Sequence, residues 1–205
     1  MASIVSAGTT SSTALNMSAD TSGVLQLASN NGSVGLTIDT GQRTTFPTTI
    51  GIGNATPSTS GFGISFPATQ SASSDANTLD DYEEGTWTPN VTSGTGSITS
   101  YTSNGQYIKI GQTVYIHFSF IITSVGTAGG VASITNIPFT STGTGTNPYQ
   151  VIAIVRETGQ TGVIYAFYMG GGGTSGLMHN LTTNSAIAWG NNYNYVTNYT
   201  YQASA

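Results

Sequence analysis

The amino-acid sequence predicts an all-β protein, and three features of its composition carry that prediction. Thr, Ser, Gly, Asn, Tyr, Ile and Val dominate the 205 residues, whereas the good helix formers Lys, Glu, Arg and Leu are scarce. Hydrophobic residues make up 37% of the chain and occur in short runs. Charged residues are only 5% and the net charge is −5, whereas disordered chains usually combine low hydrophobicity with high net charge. We therefore expect a folded β protein that hydroxyl and amide groups keep in solution.

The N-terminal region, residues 1–75, consists of short apolar runs separated by Ser, Thr, Gly and Asn. The runs occupy residues 24–28, 33–38, 49–53 and 62–66. Ser29-Asn30-Asn31-Gly32 separates the first two runs and predicts a β-hairpin, because Asn and Gly tolerate positive φ. Such short strands bury too little surface to form a core in one copy. We expect three copies to intertwine as a short shaft, with a flexible tail as the alternative.

An acidic segment, residues 76–86, is expected to be the junction between the two halves. Five of the eight acidic residues lie between Asp75 and Glu84. The junction side chains are Asp80, Asp81, Tyr82, Glu83, Glu84 and Trp87. Because charge clusters are usually solvated, the favoured interpretation is a solvated or inter-subunit loop, whose carboxylates pair with Lys109 or Arg156. A calcium site and a catalytic carboxylate pair are the alternatives, although the spacing typical of either is absent.

The C-terminal region, residues 87–205, contains longer apolar runs and predicts an antiparallel β-sandwich or jelly-roll-like domain. In the run 113–121, Val114, Ile116, Phe118 and Phe120 alternate with mostly polar residues, as in a half-buried strand. The other predicted strands are 106–110, 131–134, 137–139, 151–155, 163–169, 186–189 and 193–201. About eight strands with frequent turn signals are typical of such folds.

Aromatic residues and asparagines interleave near the C-terminus and form the candidate binding surface. Its residues are Trp189, Asn191, Tyr193, Asn194 and Tyr195. Aromatic faces stack on sugar C–H groups while amides bond to hydroxyls, so the combination favours carbohydrate, and it also suits protein recognition. Packing into the core or a subunit interface is nevertheless the favoured interpretation, because Tyr193, Tyr195, Tyr199 and Tyr201 are all odd-numbered and fit one face of a strand.

Composition excludes several classes of function. The three cations, Arg43, Lys109 and Arg156, are too few to neutralise the phosphates of a nucleic acid. No apolar run reaches the roughly 18–20 residues of a transmembrane helix, so membrane insertion is not predicted. The chain has no cysteine, which excludes thiolate catalysis and Cys-ligated zinc.

Two further patterns lack the neighbours that their chemistry requires. His117 and His179 have no other metal ligands at suitable spacing. Gly170–Gly173 lacks the Lys-Ser/Thr pair of a phosphate-binding loop and is read as a loop between strands. The sequence therefore predicts no catalytic residue, no metal site and no cofactor.

Four segments resemble motifs of one family. Residues 79–89, LDDYEEGTWTP, resemble the signature that opens a C-terminal β domain in tailed-phage fibre and virion-appendage proteins. Residues 105–111 resemble that family's G-x-Y-x-K-x-G strand pair. Residues 134–139 resemble its I-x-x-L-P-F strand, with Ile137 in place of Leu, and residues 50–57 resemble its V-G-I-G-T-x-x-P shaft element.

The resemblance implies a homotrimeric virion protein without enzymatic activity, made in the host cytoplasm. Its N-terminal part would join other virion proteins of the baseplate, tail or capsid, and its C-terminal domain would bind a bacterial surface polysaccharide or protein. The expected function is that of a short trimeric tail fibre or receptor-binding protein. A head-decoration protein of the capsid is the alternative, and a glycan-degrading enzyme is less favoured.

Overall fold

The prediction of an all-β chain is confirmed. The computed structural model describes residues 22–29, 33–69, 73–75, 77–143, 152–158 and 163–204. Strands, turns and loops account for all of these residues, and none of them lies in a helix. No helix long and apolar enough to cross a membrane therefore occurs in the described part of the chain. The chain divides into two compact units, Met1–Pro67 and Ala68–Ala205, so the expected junction 76–86 falls within the second unit.

Short strands build the first unit. They are β1 (Leu25–Ser29), β2 (Ser33–Ile38), β3 (Thr44–Thr45), β4 (Ile50–Gly51) and β5 (Ile64–Ser65). Strands β1, β2 and β3 form an antiparallel sheet, while β4 and β5 pair in parallel. Leu25 lies opposite Ile38, which confirms the predicted hairpin, although its turn residues 30–32 lie outside the described residues.

The second unit is one large antiparallel sheet. Its strands are β6 (Tyr82–Trp87), β7 (Asn90–Thr95), β8 (Ser100–Ile110), β9 (Thr113–Ser124), β10 (Gly129–Thr135), β11 (Ala153–Glu157), β12 (Ile164–Met169), β13 (Gly176–Asn180) and β14 (Asn194–Gln202). Across the sheet the order is β6-β8-β9-β14-β11-β12-β13-β10-β7.

The sheet must curl, because its two outermost strands are consecutive in the chain. Nine flat strands would hold β6 and β7 about 38 Å apart at the usual strand spacing. The chain from Trp87 to Asn90 reaches at most about 11 Å. The curled sheet encloses an apolar interior and is consistent with the predicted β-sandwich.

The core lies where the alternation in β9 predicted it. Val114, Ile116, Phe118 and Phe120 are at most 1% exposed. The Phe118 ring makes an edge-to-face contact with Phe167 of β12, with ring centroids 5.2 Å apart. Strands far apart in the sheet order thus meet across the interior.

Two of the predicted strands are loops in the structure. Asn136 and Phe139 have φ of 64° and 60°, which breaks an extended strand over residues 137–139. Residues 186–189 are likewise irregular, although Ile187 is buried. The apolar residues in these loops pack against the core without belonging to a strand of the sheet. Strands β7 and β13 were not predicted. Strand β7 lies in a segment rich in Ser, Thr and Gly, and β13 follows the glycine-rich loop.

Candidate functional site

The acidic segment is only partly a loop, because residues 82–87 form an edge strand of the sheet, whereas Asp80 and Asp81 lie in the irregular stretch before it. The expectation of a loop is therefore wrong for Glu83 and Glu84. Strand β6 pairs with β8 over six residue pairs, from Tyr82–Ile110 to Trp87–Gly105. Its side chains alternate, with Tyr82, Glu84 and Thr86 exposed and the intervening residues half-buried. Glu83 and Glu84 therefore project from opposite faces of the strand.

A buried ion pair anchors the start of this segment. The Lys109 ammonium donates to the Asp81 carboxylate, and the two residues are 3% and 5% exposed. Lys109 also lies 5.4 Å from the centre of the Phe139 ring, a cation–π distance. The structure thus shows the expected pairing with Lys109. Removing one member of a buried pair leaves an uncompensated charge, which costs about 3–5 kcal/mol.

Glycines of β6 and β8 leave the space that aromatic rings of the opposite strand occupy. Gly85 lies opposite Tyr107, and a Cβ added at Gly85 would be 2.7 Å from the Tyr107 hydroxyl oxygen. Gly105 lies opposite Trp87, and a Cβ there would collide with the indole ring. Two of the motifs behind the family resemblance, in residues 79–89 and 105–111, therefore interlock through complementary shapes.

A hydrogen bond from the Tyr107 hydroxyl adds a polar contact between β8 and β6. The hydroxyl donates over 2.6 Å to Glu83 Oε1, and this bond to a carboxylate raises the pKa of Tyr107 to about 12. Asp80 accepts a hydrogen bond of 2.7 Å from the Ser73 amide. Asp80, Asp81 and Glu83 are therefore engaged in local structure. Among the described residues, no group of three His, Cys, Asp or Glu side chains is placed to hold a metal ion.

The C-terminal tyrosines follow the packing alternative. Tyr195 is 0% exposed, its ring stacks on Phe120 with centroids 4.8 Å apart, and its hydroxyl donates to the Ala188 carbonyl. Burial raises the pKa of Tyr195 above its ordinary value. Tyr199 and Tyr201 are also buried, at 2% and 4% exposure. Tyr195 is therefore a core residue and has no exposed surface for a ligand.

The other residues of the candidate binding surface mainly fix the chain before β14. Trp189 is half-buried, and its Nε1 donates to the Gly130 carbonyl over 2.8 Å. Exposed Asn191 accepts a hydrogen bond of 2.8 Å from the Val125 amide. Tyr193 is half-buried, and the Asn194 side-chain oxygen is buried. These groups lie along one stretch of chain. None of them lines a groove that is present on the outer face of β6, β8 and β9.

That groove, with a volume of about 400 Å³, lies on the outer face of β6, β8 and β9. Its side chains are Glu84, Thr86, Gln106, Ile108, Tyr115 and His117, and Gly85 and Tyr107 also border it. The strand register sets the side chains in two rows. One row runs Glu84–Ile108–Tyr115, and the other runs Thr86–Gln106–His117.

Two side chains of the groove are held in position by hydrogen bonds. Tyr82 donates to Glu84 Oε2 over 2.7 Å, and this bond raises the pKa of Tyr82. His117 Nδ1 lies 2.6 Å from Asn198 Oδ1. Since an amide oxygen only accepts, Nδ1 is the donor in this contact. Tyr115 and Ile108 are 41% and 40% exposed, so the groove offers an aromatic ring, an aliphatic patch and polar groups together.

No local pattern in the sequence predicts this groove. Alternation along β9 indicates that Tyr115 and His117 share the polar face, but only the pairing register shows that Glu84 and Gln106 join them. His179, the second histidine, lies on β13 with its ring 5.4 Å from that of Tyr168. Comparison with family models, curated proteins and solved structures found no match to this chain.

Proposed function

We propose that the chain is a self-associating virion appendage, a short trimeric tail fibre or receptor-binding protein that adheres to a bacterial surface. One observation carries this proposal, an aliphatic face on the outside of β11, β12 and β13. It comprises Ile152, Ile154, Ile164, Leu177 and Leu181, which are between 37% and 64% exposed. Among the outward positions of these three strands, all of which the structure describes, Arg156 is the one Asp, Glu, Lys or Arg.

Such a face favours association over exposure to water. Scattered apolar residues are normal on protein surfaces, but apolar patches larger than a few hundred Å² mark interaction sites. Natural β proteins often protect exposed sheets with lysine, and this chain contains three cations in all. Arg156 is the one charge on this face, so the face is mostly complementary to a second copy of itself and we assign it to contacts between copies of this chain.

The size of the aliphatic face indicates that further surface takes part. Three strands of about six residues cover an area of about 300 Å². A stable interface buries about 800 Å² per partner. The first unit exposes apolar side chains of its own, among them Leu27 at 54%, Phe62 at 85% and Ile64 at 58%. We therefore expect both units to contribute to the assembly.

The resemblance to tailed-phage appendage proteins supports three copies and a position in the virion. A trimer presents three identical C-terminal units to one surface. Three weak sites that engage a repeated polymer together bind far more tightly than one site. The first unit would hold the assembly to other virion proteins, which leaves the second unit free to contact the host.

The mass of the protein in solution tests this proposal. We expect light scattering to give three times 21.0 kDa for the full chain. Ile164→Lys should shift the mass towards one copy, because it places a charge on the aliphatic face. Ile110→Lys is the matched control, since Ile110 and Ile164 are both 51% exposed but lie on different strands, β8 and β12. A stable monomer, or equal effects of both variants, would contradict the proposal.

Immunogold labelling of the particles that carry the protein locates it on the virion. Label at the tail tip or baseplate is expected for a receptor-binding protein. Label spread over the head would instead make the chain a capsid decoration protein, in which self-association stiffens the shell.

A further inference from the structure

We propose that the groove on β6, β8 and β9 binds a short neutral saccharide. This inference rests on the proposed function, because it assigns the adhesive surface to one site. The volume of about 400 Å³ lies in the lower part of the range for small-ligand sites, about 300–1,000 Å³. The site consists of side chains on three neighbouring hydrogen-bonded strands, so little order has to be gained on binding.

The first row of the groove suits the apolar side of a sugar ring. Ile108 lies between Glu84 and Tyr115 in the register, so the two flanking strands are about 10 Å apart. A pyranose over Ile108 therefore reaches both neighbours. The Tyr115 ring can stack on sugar C–H groups, and the Glu84 carboxylate can accept hydrogen bonds from adjacent hydroxyls.

The second row supplies neutral hydrogen-bonding groups. Thr86 donates and accepts, Gln106 offers an amide with both functions, and the His117 ring adds a further polar group. A sugar lying across both rows places its C–H face on Ile108 and Tyr115 and its hydroxyls on this polar row. The groove is thus divided into an apolar and a polar side, as a saccharide is.

The charge of the groove disfavours acidic glycans. Glu84 is its one carboxylate, and no Lys or Arg lines it. Lys109 lies on β8 itself, but its side chain faces the interior and is buried in its pair with Asp81. A uronic acid would meet repulsion from Glu84 without a cation to offset it, so we infer selectivity for uncharged sugars.

Binding of the full chain to an array of neutral and uronate-containing glycans tests the inference. We expect neutral glycans to bind and uronate glycans to bind at least tenfold more weakly. Tyr115→Ala should weaken binding about tenfold through loss of ring stacking. Ile121→Ala is the control, because Ile121 lies on the same strand, is 40% exposed against 41% for Tyr115, and lies outside the groove. Glu84→Gln should reduce the discrimination against uronates.

Three results would overturn the groove assignment. They are no binding to any neutral glycan, equal losses for Tyr115→Ala and Ile121→Ala, and equal binding of neutral and uronate glycans. Light scattering on the same samples separates this failure from that of the proposed function. A trimer that fails on the array retains the appendage proposal and removes only the groove.

Discussion

Strands of the first unit are two to six residues long, whereas β9 of the second unit extends over twelve. The burial of their apolar residues differs accordingly. Phe62 of the first unit is 85% exposed, and Phe118 of the second is 1% exposed. A long alternating strand can contribute four or more side chains to one core, whereas a two-residue strand can contribute one. The second unit therefore completes its own core, whereas the first unit leaves large apolar side chains such as Phe62 exposed.

The largest effect should come from cutting the second unit within its edge strand. A fragment of residues 68–205 contains the whole compact unit and should unfold cooperatively in urea. A fragment of residues 88–205 lacks β6, loses the packing of Trp87, and leaves the buried Lys109 without Asp81. The unpaired charge alone costs about 3–5 kcal/mol, a large part of the usual 5–15 kcal/mol of stability. We expect circular dichroism to show that this shorter fragment is largely unfolded.

A variant of the shorter fragment isolates the ion pair. Lys109→Met removes the unpaired charge and should recover part of the lost stability. If the 88–205 fragment is as stable as 68–205, the edge strand is dispensable and the second unit is smaller than the structure indicates.

One substitution made in both units compares their cores directly. Phe118→Ala should lower the free energy of unfolding by about 3–5 kcal/mol, because it opens a cavity among Trp87, Phe167 and their neighbours. Phe62→Ala should change the free energy of unfolding of the second unit by less than about 0.5 kcal/mol, because Phe62 belongs to the first unit. Tryptophan fluorescence reports on the second unit alone, because both tryptophans, Trp87 and Trp189, belong to it. Comparable losses for the two variants would show that the units unfold together.

The smallest effect concerns alkaline pH and is confined to the second unit. The hydrogen bond to Glu83 raises the pKa of Tyr107 to about 12, above the usual 10 of an unfolded chain. Its contribution to stability is therefore full below pH 10 and disappears as the pH rises through 12. Burial also raises the pKa of Tyr195 and Tyr201, which adds to the same trend.

Urea midpoints between pH 9 and 12 measure this trend. They should fall with pH in the wild type and fall less steeply in Tyr107→Phe, which has no phenol to ionise. Identical slopes in the two proteins would show that the bond to Glu83 does not persist in solution.

Local patterns predicted much of the fold. The alternation of Val114, Ile116, Phe118 and Phe120 correctly predicted which face of β9 is buried, because side chains alternate along any strand. The Asn-Gly turn correctly predicted the pairing of β1 with β2. The composition of residues 82–87 does not predict the strand β6, because Glu and Gly are poor strand formers. This strand depends on Lys109, Tyr107 and Gly105 of β8, which are distant in sequence.

The amino-acid sequence by itself determined the all-β class, the hairpin and the inward face of the longest strand, because these depend on the period of a strand and on turn chemistry. Tertiary structure alone decided that Tyr195 lies in the core and that Glu84, Gln106 and Tyr115 share a groove. These relations depend on the register between strands and on which parts of a curled sheet face each other. Register is a long-range property, since it is set by contacts such as Asp81–Lys109 between residues that no local pattern connects.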